Sequence, residues 1–524
     1  MSPQAETRLA RVVWALWIVL LVCVPVTSFP LLSQTSGGET PVGPLSLIPL
    51  VGLVVLGLGP YLLRGGKLPG LVRPLLGFGI VCLLSAGAAA ILPLLPYKGQ
   101  VPAGREVRSL ATLAIGLAFY LCASVLPDTD ARRRESVRAI YVGGAAALVW
   151  ATVQAWVGLS GREHFPLILT EIHHMFSVRD PFVGRVGGLA YEPSWMGNQL
   201  MILYLPLLSA AVLERKTVFR FRRGWLSVEA AMLLWAVTIL ILTKSRLSQV
   251  GFLMIVSAVI LVLGWRLLGG LERRVGLSAP RGWGLRRIAL SAFNAFLLIA
   301  VVAGLFLGAS AAVRRSDPRL GALESIQDRL DEMRLFYPGE ETFAVGERLA
   351  FAERLIYWSS ALRTFGLYPV LGVGPGNAGF LFEETLPDYG YRLTEVQTLL
   401  REPSFGFPNP KSLWARLLAE TGILGFVFFF WWFLSVGLGS AVLWRRGEGF
   451  ERVLGLAGVF AFLAQLVEGF SLDTYALPQL WLVFGLTTSA LWVSKVMDPG
   501  PALLPERSAD VRPAGAGRLR ESSS

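Results

Sequence analysis

Charge is scarce in this sequence. Asp, Glu, Lys and Arg make up 16% of its 524 residues, while 54% are hydrophobic and the mean hydropathy is +0.57. Soluble domains carry about 25% charged residues. A soluble core of this size has no way to keep so much apolar surface from water, so an ordinary globular protein is excluded. Cysteine is nearly absent: Cys23, Cys82 and Cys122 are the only three, each inside an apolar stretch. That pattern implies neither a disulfide framework nor a cysteine metal centre. His164, His173 and His174 are the only histidines, and they lack the i, i+4 spacing of a helical metal site. No metal and no cofactor are expected. No Gly-x4-Gly-Lys-Ser/Thr loop is present to cradle a nucleotide phosphate, so ATP hydrolysis is not expected. The net charge is +12, yet no basic run is interleaved with aromatics in a polar segment. Nucleic acid is therefore not expected as a partner, and the excess reads as topology and contact with anionic membrane lipids.

What is present is a series of long apolar runs. Windows of about 19 residues give candidate spans at 11–31, 44–63, 72–96, 108–126, 137–158, 194–213, 225–243, 247–265, 288–312, 412–443, 452–471 and 474–495. Each is close to the roughly 20 residues that cross a bilayer core. The first is long and no small-residue cleavage site clearly follows it, unlike a cleaved signal peptide. The expected fold class is an all-α polytopic membrane protein of about twelve transmembrane helices.

Basic residues crowd one set of connections: Arg8 and Arg11; Arg64, Lys67 and Arg73; Arg132 to Arg134; Arg215 to Arg223; Arg266 to Arg287; Arg445 and Arg446. The connections 32–43 and 472–473 carry no Lys or Arg. This asymmetry predicts cytoplasmic termini. One outer loop, 97–107, breaks the trend with Lys98 and Arg105. The domain organisation expected is helices over 1–312 with an outer loop at 159–193, a large extracytoplasmic loop at 313–411, helices over 412–496, and a disordered cytoplasmic tail at 497–524.

The large loop contains its own helical patterns. Residues 321–335 read as a polar helix, and Arg348 to Phe365 places Leu349, Leu355, Ile356, Trp358, Leu362 and Phe365 near one face. Such a helix suits the membrane surface or a cap on the bundle. It ends before Gly372, Gly374, Gly376 and Asn377, where glycines permit a tight turn and close approach of backbone to a ligand.

Five segments carry a resemblance. Arg354-Leu-Ile-Tyr-Trp358 and Pro369-Val-Leu-Gly-Val-Gly-Pro-Gly-Asn377 resemble the signature of the O-antigen ligase and polymerase superfamily. Leu417-Leu-Ala-Glu420-Thr-Gly422-Ile-Leu-Gly425 resembles the start of the helix after that family's large periplasmic loop. Upstream, Arg185-Val-Gly-Gly-Leu-Ala-Tyr-Glu192-Pro-Ser194 and Leu242-Thr-Lys-Ser-Arg246 resemble two further recurring segments. The resemblance implies a metal-independent, inverting glycosyltransferase of the bacterial plasma membrane, with its site facing the periplasm or exterior. Its donor would be a glycan on undecaprenyl diphosphate and its acceptor a glycan or lipid, with a chain-length regulator as an optional partner. Many relatives carry a His-Asn pair nine residues before the Glu of the Glu-Thr-Gly motif; that register falls here on Lys411-Ser412.

An ordinary lysine ammonium is a poor base at neutral pH but a good phosphate partner. Either the base lies elsewhere, or burial frees the Lys411 amine to act as one. Glu192, just before the sixth span, is a candidate base or sugar-hydroxyl acceptor; the alternative is pairing with an arginine. Arg185, Arg246 and Arg354 fall near span ends, where guanidinium forks suit a departing diphosphate. The plain alternative for each is interfacial snorkelling or a structural ion pair. Glu420 is expected to face the bundle interior. The histidines are expected to be solvated or sugar-contacting, with base duty for one of them the lesser alternative. Within the resemblance, the missing His favours a polymerase over a ligase acting on a lipid A core. A transporter or flippase fits the span count, although no matching halves are visible. A peptidoglycan polymerase of the shape, elongation and division class is a third reading, disfavoured by the Gly-Val-Gly-Pro-Gly-Asn segment.

Overall fold

The computed structural model describes residues 3–35, 42–223, 226–275, 343, 346, 351–402 and 406–494. The expected span 288–312, the polar helix 321–335 and the tail 497–524 lie outside these residues. So does Arg348, the first residue of the expected amphipathic helix.

In chain order the main helices are α1 (Pro3–Cys23), α2 (Leu47–Leu63), α3 (Val72–Ala89), α4 (Pro102–Val125), α5 (Asp130–Leu159), α6 (Leu167–His174) and α7 (Pro193–Leu213). They continue with α8 (Val228–Thr243), α9 (Arg246–Val275), α10 (Ala352–Leu367), α11 (Thr394–Arg401), α12 (Leu413–Arg446), α13 (Glu451–Glu468) and α14 (Pro478–Ser494). Six of them are long and apolar enough to cross a membrane: α3, α4, α5, α7, residues Arg246–Gly264 of α9, and α12. Helices α2 and α8 are shorter apolar helices. The chain is an all-α polytopic membrane protein. Its only strands among the described residues are a two-residue antiparallel pair, Arg222–Arg223 with Leu226–Ser227, joined as Arg222 to Ser227 and Arg223 to Leu226.

Local chemistry sets the helix ends. Prolines occupy the first turns of α4 and α7, where their missing N–H costs nothing. Thr129, Ser227 and Ser412 accept the N–H groups of Arg132, Ala230 and Ala415 at the starts of α5, α8 and α12. Helix α3 stops at Ala89, short of the expected residue 96, because Pro93 and Pro96 cannot continue it. Helices α2 and α7 each contain a π turn, at Val54–Leu58 and Leu200–Tyr204.

Helix α13 packs along α12, α14 along α4, and α12 along α3. Trp432 stacks on Trp481 with centroids 5.3 Å apart inside this core. Leu63, Leu83, Ile91, Val149, Leu159 and Leu234 face outward, an apolar exterior that water would not tolerate but lipid does. A separate small core of Leu355, Ile356, Tyr357, Phe382, Tyr389 and Val396 joins α10 to α11.

Helix α12 is not continuous. Gly422 has φ 62° and ψ −166°, and the carbonyls and N–H groups freed by this break are met by the Pro369–Gly374 segment. Val373 and Gly374 donate N–H groups to the Ala419 and Glu420 carbonyls, both at 3.0 Å; Ile423 donates to the Pro369 carbonyl at 2.8 Å. The Ser85 hydroxyl of α3 lies 2.6 Å from the Leu371 carbonyl and 2.8 Å from that of Glu420. A Cβ on Gly372 would sit 2.4 Å from the Glu420 backbone, and one on Gly422 2.3 Å from that of Val370. The two signature segments therefore form one unit, held by backbone contacts only glycine permits.

Candidate active site

The expected site residues lie where several helices end together. Glu192 immediately precedes α7, and its carboxylate accepts the Ser194 hydroxyl on one oxygen and Arg179 Nη1 on the other, at 3.2 Å. Arg179 also stacks on Phe182 at 4.5 Å and Tyr191 at 5.0 Å. Arg185 donates from Nε to the carbonyl of Thr243, the last residue of α8, at 3.2 Å; Val186 donates to the Leu242 carbonyl at 3.3 Å. The Arg185–Ser194 and Leu242–Arg246 segments are thus tied together. Burial pulls the Arg185 guanidinium down from the ordinary arginine range, and Arg246 and Arg179 add to this while Glu192 opposes it.

Arg354, near the start of α10, reaches the same place from another segment. Its Nη1 is shared between the carbonyls of Phe470 and Ser471, both at 3.3 Å, and of Lys411 at 3.4 Å. Burial lowers it as well, against the opposing carboxylates of Glu192, Asp473, Glu395 and Glu468. Arginine stays charged under any such shift. Arg185, Arg246, Arg354 and Glu192 are therefore brought into one electrostatic cluster.

Lys411 lies beside that cluster with its ammonium engaged elsewhere. The group bonds Glu395 of α11 and sits 4.1 Å over the Tyr357 ring. The Tyr357 hydroxyl donates to the same Glu395 oxygen at 3.0 Å, and burial pushes that phenol up. Gly374, Gly376 and Asn377 also have protein neighbours. A Cβ on Gly374 would meet Ala89 at 2.7 Å, and one on Gly376 the Arg105 carbonyl at 2.8 Å. Asn377 is fully buried and donates from Nδ2 to Glu106 at 2.6 Å and to the Val373 carbonyl at 3.0 Å.

Residues 231–430 match the family model described as O-Antigen ligase. This segment is an O-antigen ligase domain. No curated protein matches the chain. The chain is thus a polytopic membrane protein that carries an O-antigen ligase domain over residues 231–430, and that domain family implies lipid-linked glycan substrates. The ligase domain holds Arg246, Arg354, Lys411 and Glu420, while Arg185 and Glu192 lie before it.

Around the domain stand residues that sequence reasoning passed over. Arg416 of α12 is partly buried, bonding Glu420 at 2.8 Å, the Asp473 carbonyl at 2.6 Å and Ser109 at 2.8 Å. Asp473, between α13 and α14, acts electrostatically on Arg354, Arg416 and Arg105. Its half-buried carboxylate accepts no hydrogen bond from the described residues. A lone acid in a two-residue connection free of Lys and Arg was the available signal. Glu468, fully buried at the end of α13, accepts Asn198 Nδ2 at 3.0 Å, and Asn198 in turn accepts Gln479 Nε2 at 2.7 Å. An ionisable residue inside an apolar span was its signal. Nothing in the spacing pointed to Glu395.

The expectation of solvated histidines fails for His173. It is 2% exposed, stacks on Trp150 and accepts that indole's N–H on Nδ1 at 3.0 Å. Burial, with His174 adding to it, pulls its pKa down to about 4. His174 bonds Asp180 at 2.8 Å near the surface. Among the described residues no three His, Cys, Asp or Glu side chains group to hold a metal.

Proposed function

We propose that the protein transfers a glycan from undecaprenyl diphosphate to a hydroxyl of an acceptor glycan, with inversion and without a metal, as a polymerase of lipid-linked repeats. The observation that carries the reading is the gathering of Arg185, Arg246 and Arg354 from three chain segments around Glu192, with Asp473 alongside. A departing diphosphate gains charge as the C1–O bond breaks, and fixed guanidinium groups stabilise it. In this reading Asp473 takes the proton of the acceptor hydroxyl as its oxygen attacks C1, and the bond electrons leave with the diphosphate. Asp473 suits the base better than Glu192, whose two oxygens already accept Ser194 and Arg179. Glu192 then orients the arginines and remains the second candidate.

The enzyme crosses the bacterial plasma membrane about twelve times in this proposal, with cytoplasmic termini and the arginine cluster on the outer side. Polymerase is favoured over ligase because the residue at the family's His register, Lys411, is committed to Glu395. Profiling the lipids and surface polysaccharide of a deletion strain tests this. Single repeats accumulating on the lipid carrier or core are expected. Long chains left on undecaprenyl diphosphate would indicate a ligase, and unchanged glycans with altered solute uptake would overturn both.

A further inference from the structure

The loop at 97–107 puts basic residues where the charge asymmetry of the other loops says there should be few. Lys98 has a structural reason: its Nζ donates to the carbonyls of Glu402 at 2.8 Å and Gly406 at 3.1 Å, pinning the segment that leads into Lys411. Arg105 has less reason. Its guanidinium lies 4.3 Å over Phe407, and its buried Nε finds no partner among the described residues. The charges acting on it are two cations, Arg416 and Arg108, and two carboxylates, Glu420 and Asp473. Glu420 is already bonded to Arg416, and Asp473 is shared with Arg354. The neighbouring Glu106 turns instead to Asn377. Arg105 and Arg108, at i and i+3 on α4, repel one another across one helix face.

We propose that Arg105 and Arg108 form a second anion subsite, which holds the lipid-borne phosphate of the acceptor. The inference rests on the glycosyl-transfer reading above and adds to it a binding place for the second substrate. Asp473 acts electrostatically on both Arg354 and Arg105, so its carboxylate is within electrostatic reach of the two guanidinium groups. A donor held at Arg354 and an acceptor held at Arg105 would present the breaking bond and the attacking hydroxyl to one carboxylate. Arg416, with its donors already placed on Glu420, Ser109 and the Asp473 carbonyl, ties α12 to α4 and to the segment that carries Asp473. Two sources of such a phosphate share this chemistry: a second polyprenyl-diphosphate glycan, or a phosphorylated glycolipid.

The test is equilibrium binding of a labelled prenyl diphosphate to the full-length protein in nanodiscs. Two bound probes per chain are expected, with Arg354→Ala removing one. Arg105→Ala and Arg108→Ala should each weaken the other by roughly tenfold or more, the loss expected for a charged hydrogen bond. Arg108 is exposed, so its alanine variant tests the subsite even if Arg105→Ala fails to fold. One bound probe in the wild type, lost with Arg354→Ala, would overturn the subsite and leave the transfer reading standing. Binding indifferent to Arg354→Ala would instead overturn the transfer reading. Displacement of the second probe by a phosphorylated glycolipid assigns the acceptor to that class; displacement by polyprenyl-diphosphate glycan alone assigns it to the carrier lipid.

Discussion

Lys411 is joined through its ammonium to Glu395, and the Tyr357 hydroxyl donates to the same carboxylate oxygen at 3.0 Å. The residue at the family's His register is thus the cationic member of a small polar cluster linking α10, α11 and the start of α12. Both charged side chains of the pair are about one-third exposed, 37% and 36%, so the pair contributes on the order of 1 kcal/mol or less to stability. Lys411→Arg keeps the charge and is expected to retain transfer within a few-fold. Lys411→Met is expected to lose little more. A deprotonating amine would be lost in both variants, so transfer assays showing both dead would make Lys411 the base.

Arg354 has the opposite standing. Its guanidinium is shared among three backbone carbonyls and lies within electrostatic reach of four carboxylates. Arg354→Ala is expected to lower glycan transfer at least a hundredfold, as removal of one stabilising donor does elsewhere, with protein abundance near normal. Arg354→Lys should recover only part, because a point charge cannot replace a fork. Full activity in Arg354→Ala would remove this residue from the mechanism.

His173 predicts a pH dependence of stability. Its folded pKa of about 4 lies below the ordinary 6.5, with burial the main cause. Between these values the unfolded chain binds more protons, so stability is fully present above about pH 6.5 and falls as pH drops towards 4. The loss for this one group is at most about 3 kcal/mol. Thermal melting in detergent from pH 7.5 to 4.5 should show the decline, and His173→Leu should flatten it. A wild-type melting temperature that rises on acidification would contradict the assignment.

Orientation is tested by cysteine labelling with an impermeant reagent in spheroplasts. A cysteine at the exposed Glu163 is expected to label, and one at the exposed Arg64 is not. Thr217 is a poorer inner position, because its hydroxyl is held by Glu229 at 2.7 Å. Labelling at Arg64 from outside would invert the topology.

Much of the architecture was legible because apolar runs of bilayer length leave little choice of structure. Helices α3, α4, α5, α7, α9 and α12 fall on expected spans. The π turns and the Gly422 break were not legible, since a hydropathy window averages over a backbone defect that tertiary contacts repair. The arginines at span ends were visible as residue types, but nothing in their spacing said that Arg185 would tie to Thr243 or Arg354 to the 470–471 turn. The glycine segment read as a ligand loop, and it packs against protein: the backbone that approaches Gly372 belongs to Glu420. Asp473 and Glu395 were missed because each is a single acidic residue whose meaning depends on neighbours from other segments: Arg105, Arg354 and Arg416 for Asp473, and Tyr357 and Lys411 for Glu395.

The most direct test of the account is transfer by purified enzyme from undecaprenyl-diphosphate-linked glycan to a lipid-linked acceptor, comparing Asp473→Asn with Glu192→Gln and wild type. Loss of the base removes proton transfer, typically 10²–10⁴-fold in rate, without weakening donor binding. The account predicts that loss for Asp473→Asn with an unchanged donor dissociation constant, and a product anomeric configuration inverted from the donor's. Asp473→Asn turning over at the wild-type rate, or a retained configuration, would contradict it.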